Sequence, residues 1–583
     1  MGTTPHDDAV GRAAGTEPAP LRAPSGVVEP ALAEAWNRGD VEAAVSGALA
    51  LDELDAACRY AVNGRRVDLL LPAVRRIERM PVGVPRDVAL AVVLLIEGDL
   101  ARAKLLVWAT LGTPTGPAAD SPGPAHGSDS SDDALRLTVL ADLGAAMVAA
   151  GRWSDAIECV REGRRLHGAM RPSVAGARVL FDLAGLAALA EAHTDRTTTE
   201  FVTLSVMLAE PRARNVLTED HALALICRGS VQHLRGHLGE AALDLTRGIA
   251  LTSGARSGVA THASTELCLV RVRQGRWSDA DDLLAKLVAA AEKPDQSWLT
   301  PSILAGQAVL AAVRGRTEVA RHLIADASRL GEGLPVQLTA MLLTHARALN
   351  AITSNDWIGL HRLLDDTEEP GYRHPYRPGE WNALRMLAAM HLGDTAQQRR
   401  RLAGWAREPD AATDPYYWCF VAIQAESEAR WVDTLAAMRT ALSQLTLECD
   451  PLGRAWVLMV AGAVNSRHGD AGAKDPVRGR AFFEQARGEL ATLGAVGCVA
   501  FCDTLIRSLG DELGPQHVET DRVLTEHQLR VAELVADGYT SVEIGHILHL
   551  SSKTIDFHVG NIVRRLGLDG RREIPRRLGR VSR

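Results

Sequence analysis

A six-residue word occurs twice in this chain: Gly151-Arg152-Trp153-Ser154-Asp155-Ala156 returns as Gly275-Arg276-Trp277-Ser278-Asp279-Ala280. Recurrence within one chain marks a repeat array and excludes most single-core folds. Looser versions, a Gly or Asn, a polar residue and then an Ala-rich stretch, start near Gly39, Gly98, Thr194, Gly236, Gly315, Asn355, Gly393, Arg430 and Gly469. From Gly151 onward the spacing is about 37 to 43 residues. Each period holds two stretches of helical apolar periodicity around a short turn, for example 304–313, a turn at Gly315, and 319–330. Such a hairpin cannot bury its apolar face alone, so neighbours must stack. The expectation is an all-α α-solenoid over residues 28–510. Alanines allow close helix packing, and Trp153 and Trp277 fill the space beside their turns.

These repeats resemble tetratricopeptide repeats, with a period longer than the usual ~34 residues. Stacked repeats of that kind present an elongated concave surface, so a protein or small-molecule effector is expected on the solenoid. Residues 1–27, rich in Pro, Gly, Thr and Ala, read as disordered. The Pro/Gly/Ser/Asp stretch at 112–132 reads as a mobile loop. The run Tyr372-Arg373-His374-Pro375-Tyr376-Arg377-Pro378 reads as a Pro-punctuated connector.

The C-terminal segment 522–583 has a different grammar, after a polar linker at 511–521. Thr525 with Gln528, and Thr540 with Glu543, are capping-box pairs that open two helices. Leu524 and Leu529 are placed as a hydrophobic staple. The first helix runs to about Ala536, and Gly538 supplies a left-handed exit. The second runs to Leu548, with Ile544, Ile547 and Leu548 facing inward. Ser551 or Ser552 caps a third, in which Ile555, Val559, Ile562 and Leu566 recur at helical spacing and form one buried face. The opposite face carries Lys553, Asp556, Phe557, Gly560, Asn561 and Arg564. Three short helices with one polar outer face are the makings of a helix-turn-helix.

The same residues resemble the LuxR-type (GerE-like) DNA-binding domain. The family's opening Leu-Thr is met by Leu524 and Thr525. Its Gly and Ser-Asn-Lys-Glu-Ile-Ala stretch are met by Gly538 and by Thr540, Ser541, Val542, Glu543, Ile544 and Gly545. Its Leu-x-Ile/Leu-Ser-x-x-Thr-Val-Lys-x-His run is met by Leu548, Leu550, Ser551, Thr554, Ile555 and His558. Its closing pattern is met by Asn561, Ile562, Arg565, Leu566, Gly567, Arg571 and Glu573.

The resemblance implies a helix of about 552–565 in the DNA major groove. Phosphate anchoring is expected from Lys553, Arg564, Arg565 and Arg571, and base reading from Asp556, Phe557 and Asn561. Thr540, Ser551, Ser552, Thr554 and Gly560 complete the DNA-facing set. Three positions depart from the pattern. Val542 and Asp556 stand where the family has lysine, which implies an altered target sequence or weakened binding. Pro575 lies in the helix that carries the family's dimer contact and argues against dimerisation there. With its repeats, the chain resembles the large maltose-regulator-like branch of these regulators, without that branch's N-terminal ATPase: no GxxxxGK[ST] occurs.

Charge is distributed to match. Residues 521–583 carry 11 Lys and Arg against 8 Asp and Glu, a net +3, whereas the whole chain is −8. A weakly basic module on an acidic body implies local DNA affinity, with two copies needed for tight binding. The eight cysteines are scattered without a CxxC, as reduced core residues of a cytoplasmic protein are. His546, His549 and His558 invite a metal reading, but the resemblance packs His558 inward, and no metal or cofactor is expected. Neither Gly-x-Ser-x-Gly nor HExxH occurs, and no catalysis is expected. The sequence therefore reads as a DNA-binding transcriptional regulator. The alternative is an interaction scaffold whose helix-turn-helix no longer binds DNA.

Overall fold

The computed structural model describes residues 30–111, 130–170, 174–194, 199–213, 216–252, 257–292, 299–332, 337–354, 356–366, 378–408, 411–445, 450–468, 474–511, 524, 526–548, 552–566, 568 and 570–577. Among these, every regular element is helical. The chain divides into two compact units, Met1–Asp503 and Thr504–Arg583. The segments read as a disordered N-terminus, as the connector before Pro378 and as the 511–521 linker fall outside the described residues, apart from Asp511. So does the loop at 112–132 up to residue 129. Its last residues are helical instead, because Asp132 and Asp133 supply acidic groups to the first turn of Ser130–Ala149.

The larger unit is built of antiparallel helical hairpins. Regular ones are Ser130–Ala149 with Trp153–Ala169, Ala222–Leu234 with Leu238–Leu251, Ser257–Arg273 with Trp277–Ala291, and Thr300–Val313 with Thr317–Leu330. Later ones are Gln337–Thr353 with Trp357–Asp366, Pro378–Leu392 with Thr395–Trp405, Pro415–Ser427 with Trp431–Ser443, and Pro451–Arg467 with Pro476–Leu493. The turns at Gly39, Gly98, Gly151, Gly236, Gly275, Gly315 and Gly393 all have positive φ, as the repeated glycine requires. The turn expected at Arg430 exists with Ala429 in the left-handed position. Asn355 and Gly469 lie outside the described residues.

The turn tryptophans do more than fill space. Trp153, first residue of its helix, stacks on His193 near the end of Val174–Thr194, with ring centroids 3.8 Å apart. Trp357 stacks on His391 at 3.7 Å, and Trp431 on His468 at 4.0 Å. In each case the second helix of one hairpin is pinned to the end of the next hairpin's first helix. Trp277 is buried instead, its indole N–H donating to the Val272 carbonyl.

The array also curls. One apolar core joins Cys268, Trp277, Leu310 and Leu342 to Leu458, Leu490 and Cys502. Gly275 shows how close this approach is. A Cβ there would lie 2.3 Å from Leu493 Cδ2 and 3.2 Å from Pro451 Cγ, so the position needs glycine for space as well as for φ. Hairpins about 180 residues apart thus pack together, which nearest-neighbour stacking alone does not produce.

Candidate nucleic-acid interface

Within the second unit, three helices form the expected module. Glu526–Ala536 exits through Gly538 at φ 92°. Ser541–Leu548 is opened by a reciprocal cap: the Thr540 N–H donates to Glu543 Oε2 at 2.8 Å, and the Glu543 N–H donates to Thr540 Oγ1 at 3.3 Å. The backbone and hydroxyl donors of Thr540 hold the Glu543 carboxyl below its usual range. The other cap pair involves Thr525, outside the described residues. Ser552–Arg565 is the third helix.

The apolar seam read from the sequence is the module's core. Ile555, Val559 and Ile562 pack with Leu524, Val531, Val535 and Ile544, and Leu529, Leu548 and Leu566 border them. Ile547 does not join them and is exposed. In an eight-residue helix the buried stripe is only as wide as Ile544, Gly545 and Leu548, and Ile547 falls on its flank. Pro575 sits in the first turn of a four-residue helix, Ile574–Arg577, where no intrahelical N–H bond is needed. The preceding Ile574 is fully buried in the core.

The outer face of Ser552–Arg565 exposes Ser552, Asp556, Phe557 and Gly560, with Thr554 and Asn561 half-buried at its edges. Thr540 is exposed at the start of the preceding helix. Ser551 lies outside the described residues, as do the side chains of Lys553, Arg564 and Arg565. Phe557 presents a large apolar ring, 37% exposed, on an otherwise polar surface. His558 is half-buried beside it, and among the described residues no three metal-ligating side chains are grouped for a metal ion.

Two residues expected to meet DNA are engaged within the module. The Asp556 carboxylate accepts from Ser541 Oγ at 2.5 Å, and that oxygen accepts from Arg571 Nη1 at 2.6 Å. Arg571 Nη2 donates in turn to the Tyr539 carbonyl at 2.6 Å. This chain of bonds ties the outer-face helix to the start of the helix before it and to the C-terminal piece. Neither Ser541 nor Tyr539 was legible as a site residue: partners 15 and 32 positions apart leave no local signal. Arg572 is exposed and next in line.

Residues 522–577 match the family described as bacterial regulatory proteins, luxR family. The chain is also 35% identical over 63 residues to a transcriptional regulatory protein, DegU, of Brevibacillus brevis. That match covers 10% of this chain and 27% of the relative, so the chain spans about a quarter of the curated protein it resembles. The C-terminal segment is thus a LuxR-type helix-turn-helix domain, and the likeness does not extend to the helical-repeat body.

Proposed function

We infer that this chain is a sequence-specific DNA-binding regulator of transcription, whose helical-repeat body receives the signal and whose C-terminal domain contacts the promoter. The observation that carries the reading is the outer face of Ser552–Arg565. Its buried side is fixed by the module core, while Asp556, Phe557 and Gly560 stand free of that core on a luxR-type scaffold. Lys553, Arg564, Arg565 and Arg572 supply phosphate-contact charge, and Phe557 is suited to a thymine methyl. Arg571, bonded to Ser541 and to the Tyr539 carbonyl, acts first as a brace.

The test is selection from a random DNA pool with the full-length protein at two salt concentrations. Enrichment of one motif, weakening with salt, is the expected result. An inverted repeat would identify two copies acting together. Absence of enrichment would favour the interaction scaffold, a reading that rests on Val542 and Asp556 standing where lysine would reach phosphate. In that case Val542→Lys with Asp556→Lys should restore binding.

A further inference from the structure

The helix Val496–Asp511, which follows the last hairpin of the body, carries two cysteines one turn apart, Cys498 and Cys502. A spacing of four puts both side chains on one face. That face meets the core shared with Pro451–Arg467 and Pro476–Leu493. Cys502 is fully buried in it, and its Sγ lies 3.5 Å from the Met459 Sδ. Cys498 and Met459 border the same core and are only half-buried. The fold thus gathers sulfur from two helices, within the larger unit, that the sequence separates by about 40 residues. The other described cysteines, Cys58, Cys159, Cys227, Cys268 and Cys419, are buried in five different helices.

Two thiols and a thioether can do more than pack. A disulfide between Cys498 and Cys502 does not fit the helix: Cβ atoms four residues apart are about 5–6 Å from one another, beyond the ~3.5–4.5 Å that a disulfide needs. A metal ion relaxes that demand. Metal–sulfur bonds are about 2.3 Å long, so one ion spans sulfurs up to about 4.6 Å apart. Cys502 and Met459 already stand within that span. Rotation about χ1 brings the Cys498 sulfur toward them from the next turn. The ion takes the place of thiol hydrogens between sulfurs already in contact, so it needs no preformed cavity. Cys498 and Met459 reach solvent and supply the way in.

The donor set selects the ion. Among the described residues no third His, Cys, Asp or Glu joins the pair, so the four-ligand set of a structural zinc site is not assembled. Magnesium and calcium require oxygen ligands, whereas Leu458, Leu490, Phe482 and Val499 line this core. Arg487 and Asp503, the charged side chains that act on Cys502, are paired with each other. Thiolate and thioether sulfur select Cu(I), which accepts low coordination numbers and an apolar setting. We propose that Cys498, Cys502 and Met459 form a binding site for one Cu(I) ion, held by two thiolates and a thioether. Binding expels the two thiol protons to solvent and changes no oxidation state. The site stands independently of the DNA-binding reading.

The experiment is anaerobic titration of the reduced full-length protein with Cu(I) in competition with the chelator bathocuproine disulfonate, followed by the chelator's absorbance. Withdrawal of one Cu(I) per chain is expected, with X-ray absorption showing a shell of sulfur alone. Cys498→Ser should weaken binding at least about tenfold, a loss of ~1.4 kcal/mol. Cys502→Ser tests the second thiolate. Because Cys502 is in the core and that variant may unfold, Met459→Leu, which keeps volume and apolar character, provides a second reading and should also weaken binding. Zinc(II) at equal concentration should not displace the copper. Failure to withdraw Cu(I) from the chelator, nitrogen or oxygen in the metal's shell, displacement by zinc, or binding unchanged in both Cys498→Ser and Met459→Leu overturns the proposal.

Discussion

Replacing Asp556 by alanine separates two roles for one carboxylate. If Asp556 reads a base, the change should alter sequence preference and leave stability nearly untouched. If it braces the module through Ser541, stability should fall. Hydrogen bonds to charged groups are worth roughly 1.5–3 kcal/mol, but this one is solvent-exposed, so about 1 kcal/mol is the reasonable figure. For a unit of 80 residues, Thr504–Arg583, that corresponds to a fall of about 4–8 °C in its melting temperature. The single variant is ambiguous, because alanine also raises helix propensity at position 556. Ser541→Ala carries the same bias. The double-mutant cycle removes both, leaving the pairwise coupling. No tryptophan occurs after residue 456, so fluorescence would report on the body. Hydrogen exchange in peptides covering Ser552–Arg565 reads the module directly. A coupling near 1 kcal/mol supports the brace. Additivity within about 0.3 kcal/mol would refute it and return Asp556 to base reading.

Arg564→Ala should weaken binding to all DNA sequences alike and reduce the salt slope by about 1, whereas Phe557→Ala should change the preferred sequence; equal losses on every sequence for Phe557→Ala would remove its base-reading role. In the body, Arg228 holds Asp244 through two bonds of 2.7 and 2.8 Å, both side chains buried, so Asp244→Ala should cost about 3–5 kcal/mol by urea unfolding, and a loss below about 1 kcal/mol would contradict the pair's burial. His345 is lowered to about 3 by burial and by neighbouring positive charge. Between its unfolded value near 6.5 and that folded value, the unfolded chain binds a proton the native chain does not, so stability is lost as pH falls. At pH 5 the cost is of order 2 kcal/mol, and His345→Gln should flatten the acid limb of a stability–pH curve measured by chemical denaturation. Asp182, raised to about 6 chiefly by burial, works in the opposite direction, its native state favouring the proton as pH falls from about 6 toward 4; Asp182→Asn should therefore steepen the same limb.

What could be read in advance was local. The glycine of each turn, the cap of Thr540 with Glu543 and the seam of Ile555, Val559 and Ile562 are set by residues within a few positions of one another. The helical periods and the module's core followed from these. Ile547 was misplaced because apolar character alone does not say how wide a buried stripe an eight-residue helix needs. The tryptophans were visible, but their histidine partners were not. Trp357 and His391 lie 34 residues apart, and only the packing of consecutive hairpins makes them neighbours. The Ser541 brace is hidden for the same reason.

The polar interior depends on something more remote. Each hairpin adds a small rotation to the array, and no single repeat encodes the sum. Whether Arg273 on one inner helix reaches Glu380, 107 residues later, is decided by that accumulated turn. In an open solenoid, Glu266, His233 and His345 would read as ordinary polar residues on a solvated concave face, each free to hydrate. Curling converts the same residues into buried groups that pair across hairpins: Glu266 accepts from Ser230 and lies 3.0 Å from His233 Nδ1. A hydrated carboxylate needs no protein partner, whereas a buried one must be matched by donors, and here helices distant in sequence supply them. The motif at the C-terminus names a kind of partner from its residues alone. In the body, which polar groups meet is settled only once the repeats have packed on one another, as Arg273 and Glu380 do.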